Sequence, residues 1–340
     1  MPHREGPPPP IASAPPSGTS PVTKYGVRDT FSARLRSVYR ISGALLLTGL
    51  MAIPQSVLIR FDGWGKIWVA RVYWATICRI LGLEVRIIGA LAGKKRDRKA
   101  VERGEKPVIF VANHCSWLDI PVAGGALPTV FVAKQQIAEW PVIGTLARLG
   151  RTIFVSRQRN NTGRELFDMS SRLRAGDNLI LFPEGTSSDG RDVLPFMSSF
   201  FAVAKPSGKT DEASLPPPVL IQPVSIVYDG LNGRDVGRED CEVFAWYGDM
   251  DLAPHIWQVT RWRRMRASIL LHPPLTRQVT RIGKVSPLLF MMLWPGACTT
   301  CMRVMTTCLN PQNPQCPPRK SGSSRVKSLR NLQIIRYKTR

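Results

Sequence analysis

Hydrophobic runs bounded by polar, glycine or proline residues divide the chain into alternating strands and helices. Short continuous apolar runs predict buried strands, and apolar residues repeating every three to four positions predict helices that cover them. The predicted strands are residues 83–88, 108–111, 130–133, 152–155, 179–182, 219–228, 243–247 and 267–271. The predicted helices between them include residues 140–149 and 162–175. This alternation predicts an α/β fold over residues 83–275, with helices flanking the sheet.

Two apolar segments precede the first predicted strand. Residues 41–59 are apolar, and as a helix they would be about 28 Å long, although Pro54 and Gln55 weaken the second half. Residues 64–81 combine apolar positions at helical spacing with tryptophans and basic residues, which is typical of a helix at the lipid headgroup level. Residues 34–82 are therefore predicted to be membrane-associating helices. A membrane span, a re-entrant or interfacial segment and a helix packed on a soluble core remain alternatives.

Both ends of the chain differ in composition from its middle. Residues 1–33 are rich in proline, serine and glycine and lack the apolar run of a secretory signal, so they are predicted to be disordered. In residues 276–340 the periodicity weakens, acidic residues are absent and four cysteines cluster. We predict either a natural basic tail here or an out-of-frame or foreign C-terminus replacing a helical segment, which the coding DNA would distinguish.

Charge and cysteine usage narrow the choice of partners. The formal net charge is +23, and no Asp or Glu follows Asp251. Such a basic balance favours an anionic partner, either nucleic acid or a membrane surface. No segment is typical of a nucleic-acid-binding fold, so the apolar N-terminal segments favour the lipid bilayer as partner and no nucleic acid. The scattered Cys78, Cys115 and Cys241 suit a reducing compartment, and the C-terminal cysteines contain too few close pairs for zinc.

A histidine and a carboxylate follow the apolar run of residues 108–111. His114 comes directly after the predicted strand, and Asp119 follows five residues later. Open α/β sheets bind ligands at the carboxyl ends of their strands, so His114 is predicted to lie at such a site. A carboxylate that accepts from one ring nitrogen leaves the other nitrogen able to take a proton from a hydroxyl. The alternative is a histidine that only hydrogen-bonds to neighbouring backbone.

Four sequence blocks in order resemble the PlsC family of glycerolipid acyltransferases. The first is the NH-x4-D pattern that contains His114 and Asp119, and the second is GRTIFVSR at residues 150–157. The third is FPEGT at residues 182–186, and the fourth is VLIQPV at residues 219–224. A lone H-x4-D pattern is weakly specific, whereas this ordered set, which covers residues 83–274, is strongly specific.

The resemblance implies a membrane-associated O-acyltransferase without a cofactor. It would move a fatty acyl group from acyl-CoA or acyl-carrier protein to a lysophospholipid hydroxyl at the cytoplasmic face of the cell (inner) membrane. His114 would be the general base and Asp119 would orient it, so that no separate nucleophile is needed. The substrate-binding residues implied by the resemblance are Lys134, Arg157, Glu184, Gly185 and Thr186, with Gly185 and Thr186 at a strand-to-helix turn that could hold an anion.

One position in the third block leaves the acceptor open. Phosphatidate-forming members usually read FPEGTRS, and their arginine is associated with the acceptor phosphate, whereas this chain has Ser187. A hydroxyl cannot replace a bidentate guanidinium–phosphate contact. Either Lys134, Arg151 or Arg191 supplies the charge, or the acceptor has no phosphomonoester, as in lyso-ornithine lipid. The frequency of the activity among relatives ranks lysophosphatidate (1-acylglycerol-3-phosphate) first and lyso-ornithine lipid as the alternative.

Other classes of function also remain alternatives. Cys115 beside the histidine suggests an acyl-enzyme, while the absence of a G-x-S-x-G motif disfavours a serine hydrolase. A non-catalytic membrane-surface protein would need no His–Asp pair, and a nucleic-acid-binding protein would use the basic tail. An assay of thiol release from acyl-CoA that depends on a lysolipid separates these classes from an acyltransferase.

Overall fold

The computed structural model of the chain describes residues 29–61, 63–92, 102–156, 162–197, 200–201, 203 and 219–275. Arg157, residues 276–340 and most of the predicted disordered N-terminus lie outside these ranges. The predictions for these residues therefore remain predictions.

The strands form one mixed sheet of eight. They are β1 (Leu83–Gly89), β2 (Val108–Ala112), β3 (Val130–Lys134), β4 (Ile153–Val155), β5 (Leu179–Leu181), β6 (Leu220–Leu231), β7 (Arg234–Asp235) and β8 (Met265–Leu271). The strand order is β1-β8-β6-β2-β5-β3-β4, and β7 pairs with β6. Strands β2 to β6 are parallel to one another, whereas β8 is antiparallel to β6 and β1 follows the direction of β8.

β2 occupies the centre of the sheet because its side chains are apolar on both faces. Phe110 packs in a cluster with Leu118 and Val122, while Val111 packs on the opposite face with Leu173. Successive side chains of a strand point to opposite faces, so an uninterrupted apolar run requires cover on both sides. The predicted α/β sheet flanked by helices is confirmed.

Six α-helices accompany the sheet in the described part of the chain. They are α1 (Phe31–Leu58), α2 (Gly65–Leu81), α3 (Asp119–Ala126), α4 (Ile143–Leu149), α5 (Thr162–Arg174) and α6 (Leu252–Thr260). Helices α2 and α3 approach closely, since a Cβ added at Gly124 would lie 2.4 Å from the Trp74 ring. Glycine on α3 therefore lets α2 pack directly against the helix that begins at Asp119.

Helix α1 is longer than its apolar run indicates. It begins after Thr30, whose hydroxyl accepts from the Ala33 amide, and it continues through Pro54. The second half is held by Gln55, which is buried and donates to the backbone carbonyl of Leu149 at 2.9 Å. Among the described residues, α1 is the one helix long and apolar enough to cross a membrane, and only 6% of its most apolar window is buried.

The structure corrects one detail of the predicted sheet and decides another. Residues 243–247 are not a strand, because a 3-10 helix spans Arg238–Val243 and Phe244 then fills the core beneath the sheet. Pro223 in β6 predicts either an edge strand or a bulge. β6 is internal to the sheet, and its register against β8 shifts between Tyr228 and Gly230. The Pro223 carbonyl accepts from the His272 amide just beyond the end of β8, and the His272 carbonyl accepts from the Gln222 side chain at 2.8 Å, so that it needs no N–H from Pro223.

Candidate active site

The site begins where the chain leaves the sheet after β2. The Asn113 side chain continues the ladder to β6 in place of backbone: its Nδ2 donates to the Ile226 carbonyl at 3.0 Å, and its Oδ1 accepts from the Ile226 amide at 2.8 Å. The backbone can therefore turn out of the sheet at this point without leaving β6 unpaired. This turn places His114 at the carboxyl edge of the central strand.

His114 and Asp119 are in direct contact. The His114 Nδ1 atom lies 2.7 Å from Asp119 Oδ2, which also accepts from the backbone amides of Cys115 and Ser116 at 2.8 and 3.0 Å. Asp119 is fully buried in the first turn of α3, where the helix dipole favours negative charge. The His114 ring stacks on Phe182 with 4.4 Å between ring centroids. The imidazole is thus fixed in both position and tilt.

The chemistry of the pair depends on Nε2, the second ring nitrogen of His114. A carboxylate at Nδ1 favours the tautomer that carries its proton there, so that Nε2 is an acceptor. No residue of the described ranges hydrogen-bonds to Nε2, and the side chain is 20% exposed. This arrangement can take a proton from a hydroxyl brought to Nε2, with the charge on the ring stabilised by Asp119.

Tyr228 contacts the second oxygen of Asp119. Its hydroxyl donates to Oδ1 at 2.7 Å from β6, and its ring stacks on Phe244. Burial, with the nearby Asp119 as a further cause, raises the pKa of Tyr228 well above its usual value, so the phenol keeps its proton. The sequence motifs did not single out this residue. The available signal was a hydroxyl-bearing side chain in line with the core-facing Val224 and Ile226.

Glu184 connects the FPEGT turn to the backbone of the histidine. Its Oε1 accepts from the His114 amide at 2.6 Å, and its Oε2 accepts from the Leu194 amide at 2.7 Å. Burial raises the pKa of Glu184 to about 8, although both backbone hydrogen bonds oppose that shift. The Ser188 amide donates to the His114 carbonyl at 3.0 Å, so both backbone polar groups of His114 are held by the segment after β5.

The turn after Glu184 differs from the predicted strand-to-helix turn. The described residues 183–197 contain no α-helix, and the Gly185 amide donates to the Phe182 carbonyl at 3.0 Å with a positive φ of 68°. Its N–H is used within the turn because the chain reverses tightly there. Thr186 and Ser187 follow and are half-buried. Because β5 lies beside β2, this turn reaches the same edge of the sheet as His114.

The predicted cations lie in different places. Lys134 ends β3, two strands away from β2 at the same edge of the sheet. Arg191 follows the FPEGT turn and pairs with Glu242 at 2.8 Å. Arg151 is buried at the opposite edge, where it precedes β4 and forms an ion pair with Asp177. It is therefore not one of the cations near His114.

Cys115 has the environment of a structural thiol. The residue is buried, and burial raises its pKa well above the usual value, with the charge of Asp119 as the next cause. A thiolate is the nucleophilic form of cysteine, so this environment disfavours an acyl-enzyme at Cys115.

Comparisons with known proteins bear on the fold and on the family of the chain. The family model described as Acyltransferase matches residues 93–227. A protein named lyso-ornithine lipid O-acyltransferase from Rhodobacter capsulatus is 37% identical over 252 residues, which cover 72% of this chain and 84% of the relative. The chain belongs to the acyltransferase family. It is accordingly an enzyme that transfers acyl groups, and the resemblance seen in the four blocks is confirmed.

Other members of the acyltransferase family extend the comparison. A protein named 1-acyl-sn-glycerol-3-phosphate acyltransferase from Neisseria gonorrhoeae is 29% identical over 189 residues, covering 53% of this chain and 66% of the relative. The crystal structure of the acyltransferase PlsC from Thermotoga maritima superposes with a TM-score of 0.53 at 17% identity. That match covers 77% of this chain and 94% of the other, and it shows a shared fold.

Proposed function

We propose that this acyltransferase esterifies the free hydroxyl of lyso-ornithine lipid with a fatty acyl group from acyl-CoA or acyl-carrier protein. The observation that carries the proposal is the His114–Asp119 pair at the open end of β2 in a chain related to enzymes of that name. Four such relatives are 31% to 37% identical to this chain. This choice departs from the sequence-based ranking, which put lysophosphatidate first because that activity is the most frequent among relatives.

In the proposed reaction, His114 acts as a general base. Nε2 takes the proton of the acceptor hydroxyl while the oxygen attacks the thioester carbonyl, and Asp119 stabilises the imidazolium that forms. Collapse of the tetrahedral intermediate breaks the carbon–sulfur bond, and the imidazolium returns the proton to the departing thiolate. General-base catalysis of this kind typically contributes a factor of about 10²–10⁴.

The positions of the basic side chains support an acceptor without a phosphomonoester. Ser187 stands where phosphatidate-forming members carry arginine, and Arg151 is engaged with Asp177 at the opposite edge of the sheet. The ornithine head group carries an amino acid instead of a phosphate, so it does not need a guanidinium at residue 187. Lysophosphatidate is the second candidate, because Lys134 and Arg191 remain at the carboxyl edge.

We further propose that α1 and α2 bring the site to a bilayer surface. Large apolar side chains on these helices are exposed, among them Leu35, Leu45, Leu46, Leu50, Ile53, Trp64 and Trp68. Near its start, α1 is bound to the end of α6, since Arg36 donates to the Arg261 carbonyl at 2.6 Å. Near its other end, Gln55 is bound to Leu149. Attachment at both ends supports a helix that lies along the domain, with its apolar face in the lipid.

The test compares acceptors with one acyl donor. Purified full-length protein in mixed micelles is given lyso-ornithine lipid or lysophosphatidate, and thiol release is measured with a thiol reagent. We expect turnover that depends on the acceptor and is at least tenfold faster with lyso-ornithine lipid, and none with His114→Ala, which should bind micelles as the wild type does. Preference for lysophosphatidate would overturn the acceptor, and near-native turnover by His114→Ala would overturn the mechanism.

A further inference from the structure

We propose that Tyr228 is a positioning residue of the acyltransferase site: it holds Asp119 by Oδ1 so that Oδ2 stays directed at His114. The inference deepens the proposed function, because it rests on the roles assigned there to His114 and Asp119. Neither the sequence blocks nor the position of β6 in the chain assigns a role to this tyrosine.

The carboxylate of Asp119 is held from two independent parts of the fold. Its Oδ2 accepts from the His114 ring and from the backbone amides of Cys115 and Ser116, all within the segment that connects β2 to α3. Its Oδ1 accepts from Tyr228, which lies 109 residues away in β6. A carboxylate held through one oxygen can rotate about its Cβ–Cγ bond. A donor at the second oxygen fixes the plane of the group and therefore the direction of Oδ2.

The Tyr228 side chain is itself fixed by its surroundings. The register of β6 against β8 shifts directly after it, because Tyr228 pairs with Ala267 and Gly230 pairs with Arg266. Such a bulge changes the direction of neighbouring side chains and is frequent beside active sites. The register shift passes over Asp229, whose Oδ2 accepts from the Ser268 hydroxyl of β8 at 2.8 Å.

Stacking on Phe244 restricts the phenol ring from its other face. The two ring centroids are 5.0 Å apart, and the planes differ by 18°. Phe244 is fully buried, as is Asp119. The Tyr228 hydroxyl therefore has a single direction in which to donate, and the sheet defines that direction independently of the loop that carries His114.

A purely structural role would be to satisfy a buried hydroxyl and a buried carboxylate. Such a role predicts lower stability on removal of the hydroxyl, with no change in the pH dependence of turnover. The positioning role predicts a changed pH dependence. The other titratable groups that face this cluster are Cys115, Cys78 on α2 and Glu184 on the FPEGT turn. These groups are the same in the wild type and in a variant that lacks only the Tyr228 hydroxyl. A comparison of the two pH profiles therefore reports on the hydrogen bond from Tyr228 to Asp119.

The first test is Tyr228→Phe, which keeps the ring and its stacking on Phe244. We expect kcat to fall about tenfold, because hydrogen bonds to charged groups contribute on that order, while KM for the lipid and the thioester stays unchanged. The acidic limb of the kcat profile should move to lower pH. Without Tyr228, Oδ2 is no longer held toward the His114 ring, so Asp119 stabilises the imidazolium less and the neutral base persists to lower pH.

Two further measurements make the result specific. Tyr73→Phe, a matched control, removes a half-buried phenol hydroxyl that is bonded to Thr48 of α1 at 2.9 Å, so it should lower the unfolding temperature without moving the pH profile. In an Asp119→Asn background, Tyr228→Phe should add less than a twofold loss, since the residue that it positions is already changed. If Tyr228→Phe does not fold, Tyr228→Met removes the hydroxyl with a more adaptable side chain and takes its place in both measurements.

The outcomes separate this inference from the proposed function. If the wild type transfers no acyl group to either lysolipid, the proposed function fails. If the wild type is active and Tyr228→Phe has the same kcat and pH profile, or if its loss is additive with that of Asp119→Asn, Tyr228 is not a positioning residue. In that second case the roles of His114 and Asp119 are unaffected.

Discussion

At the scale of single residues, Glu184 binds the backbone around His114. Both of its carboxyl oxygens accept from backbone amides, one of them the amide of His114. The resemblance to relatives implied a substrate-binding role for this glutamate. The geometry instead supports a role in holding the FPEGT turn against the backbone of the histidine.

Glu184→Gln distinguishes these two roles. The amide nitrogen of glutamine would face a backbone N–H, so we expect one lost hydrogen bond, a free energy of unfolding lower by about 1–3 kcal/mol and a reduced kcat. A substrate-binding role would instead raise KM and leave thermal unfolding unchanged. Glu165→Gln is a comparison variant, because within the described ranges Glu165 accepts from one backbone amide, that of Ser156.

The pH dependence of stability gives a second readout for Glu184. Burial raises its pKa to about 8, so the folded protein binds this proton more tightly than the unfolded chain, whose glutamate has a pKa of about 4.3. The resulting stabilisation is present below about pH 4.3 and is lost as the pH rises to about 8. Unfolding temperatures measured across this window should therefore fall less steeply for Glu184→Gln than for the wild type.

Ser187 provides a test of acceptor preference. It is half-buried and directly follows Thr186 at the carboxyl edge of the sheet. Ser187→Arg adds the guanidinium that phosphatidate-forming members carry, so we expect the ratio of kcat/KM for lysophosphatidate over lyso-ornithine lipid to rise about tenfold or more. Ser187→Gln, of intermediate length and uncharged, is the control. An equal response to both variants would mean that charge at this position does not select the acceptor.

At the scale of elements, one arginine joins the N-terminal helix to the domain. Arg40 of α1 is buried and donates to the backbone carbonyls of Thr260, Trp262 and Arg263 at the end of α6, at 3.1, 2.5 and 3.0 Å. Carbonyls at a helix end lack intrahelical partners and favour a positive charge. α1 is thus fixed to the domain through its polar side, which leaves its apolar side exposed.

Arg40→Ala should lower the free energy of unfolding by about 3 kcal/mol or more, because several buried carbonyls lose their donor. Arg36→Ala is the matched control: among the described residues Arg36 makes a single hydrogen bond, to the Arg261 carbonyl at the same helix end, and we expect a loss of about 1 kcal/mol. Chemical denaturation of the two variants in detergent measures the difference. Equal losses would show that the interactions of Arg40 do not hold α1 in place.

At the scale of the whole molecule, the exposed apolar side of α1 gives a test of bilayer attachment. Leu46 and Ile53 are 66% and 71% exposed. The double variant Leu46→Glu/Ile53→Glu should release the protein from anionic vesicles in a flotation assay while its unfolding temperature stays the same. Phe167→Glu is the control, because Phe167 is 58% exposed on α5, a helix that covers the other face of the sheet. This variant should float with the vesicles as the wild type does.

Local pattern was sufficient for much of the fold. The strands before His114 and before FPEGT were predicted nearly to their ends, because an apolar run between polar residues leaves few alternatives. The short spacing from His114 to Asp119 was likewise sufficient to predict their pairing, since both belong to one turn at the start of α3. The pattern wrongly predicted a strand at residues 243–247, because an apolar run can be buried beneath the sheet as well as within it.

What the sequence by itself determined is therefore local: the order of strands and helices, the His114–Asp119 pair and the family to which the chain belongs. Only the tertiary structure decided which distant residues meet. It put Tyr228 on Asp119, turned both oxygens of Glu184 to backbone amides and moved Arg151 to the far edge of the sheet. The physical reason is that periodicity describes each element alone, whereas contacts between elements depend on strand order and register, which spacing along the chain does not encode.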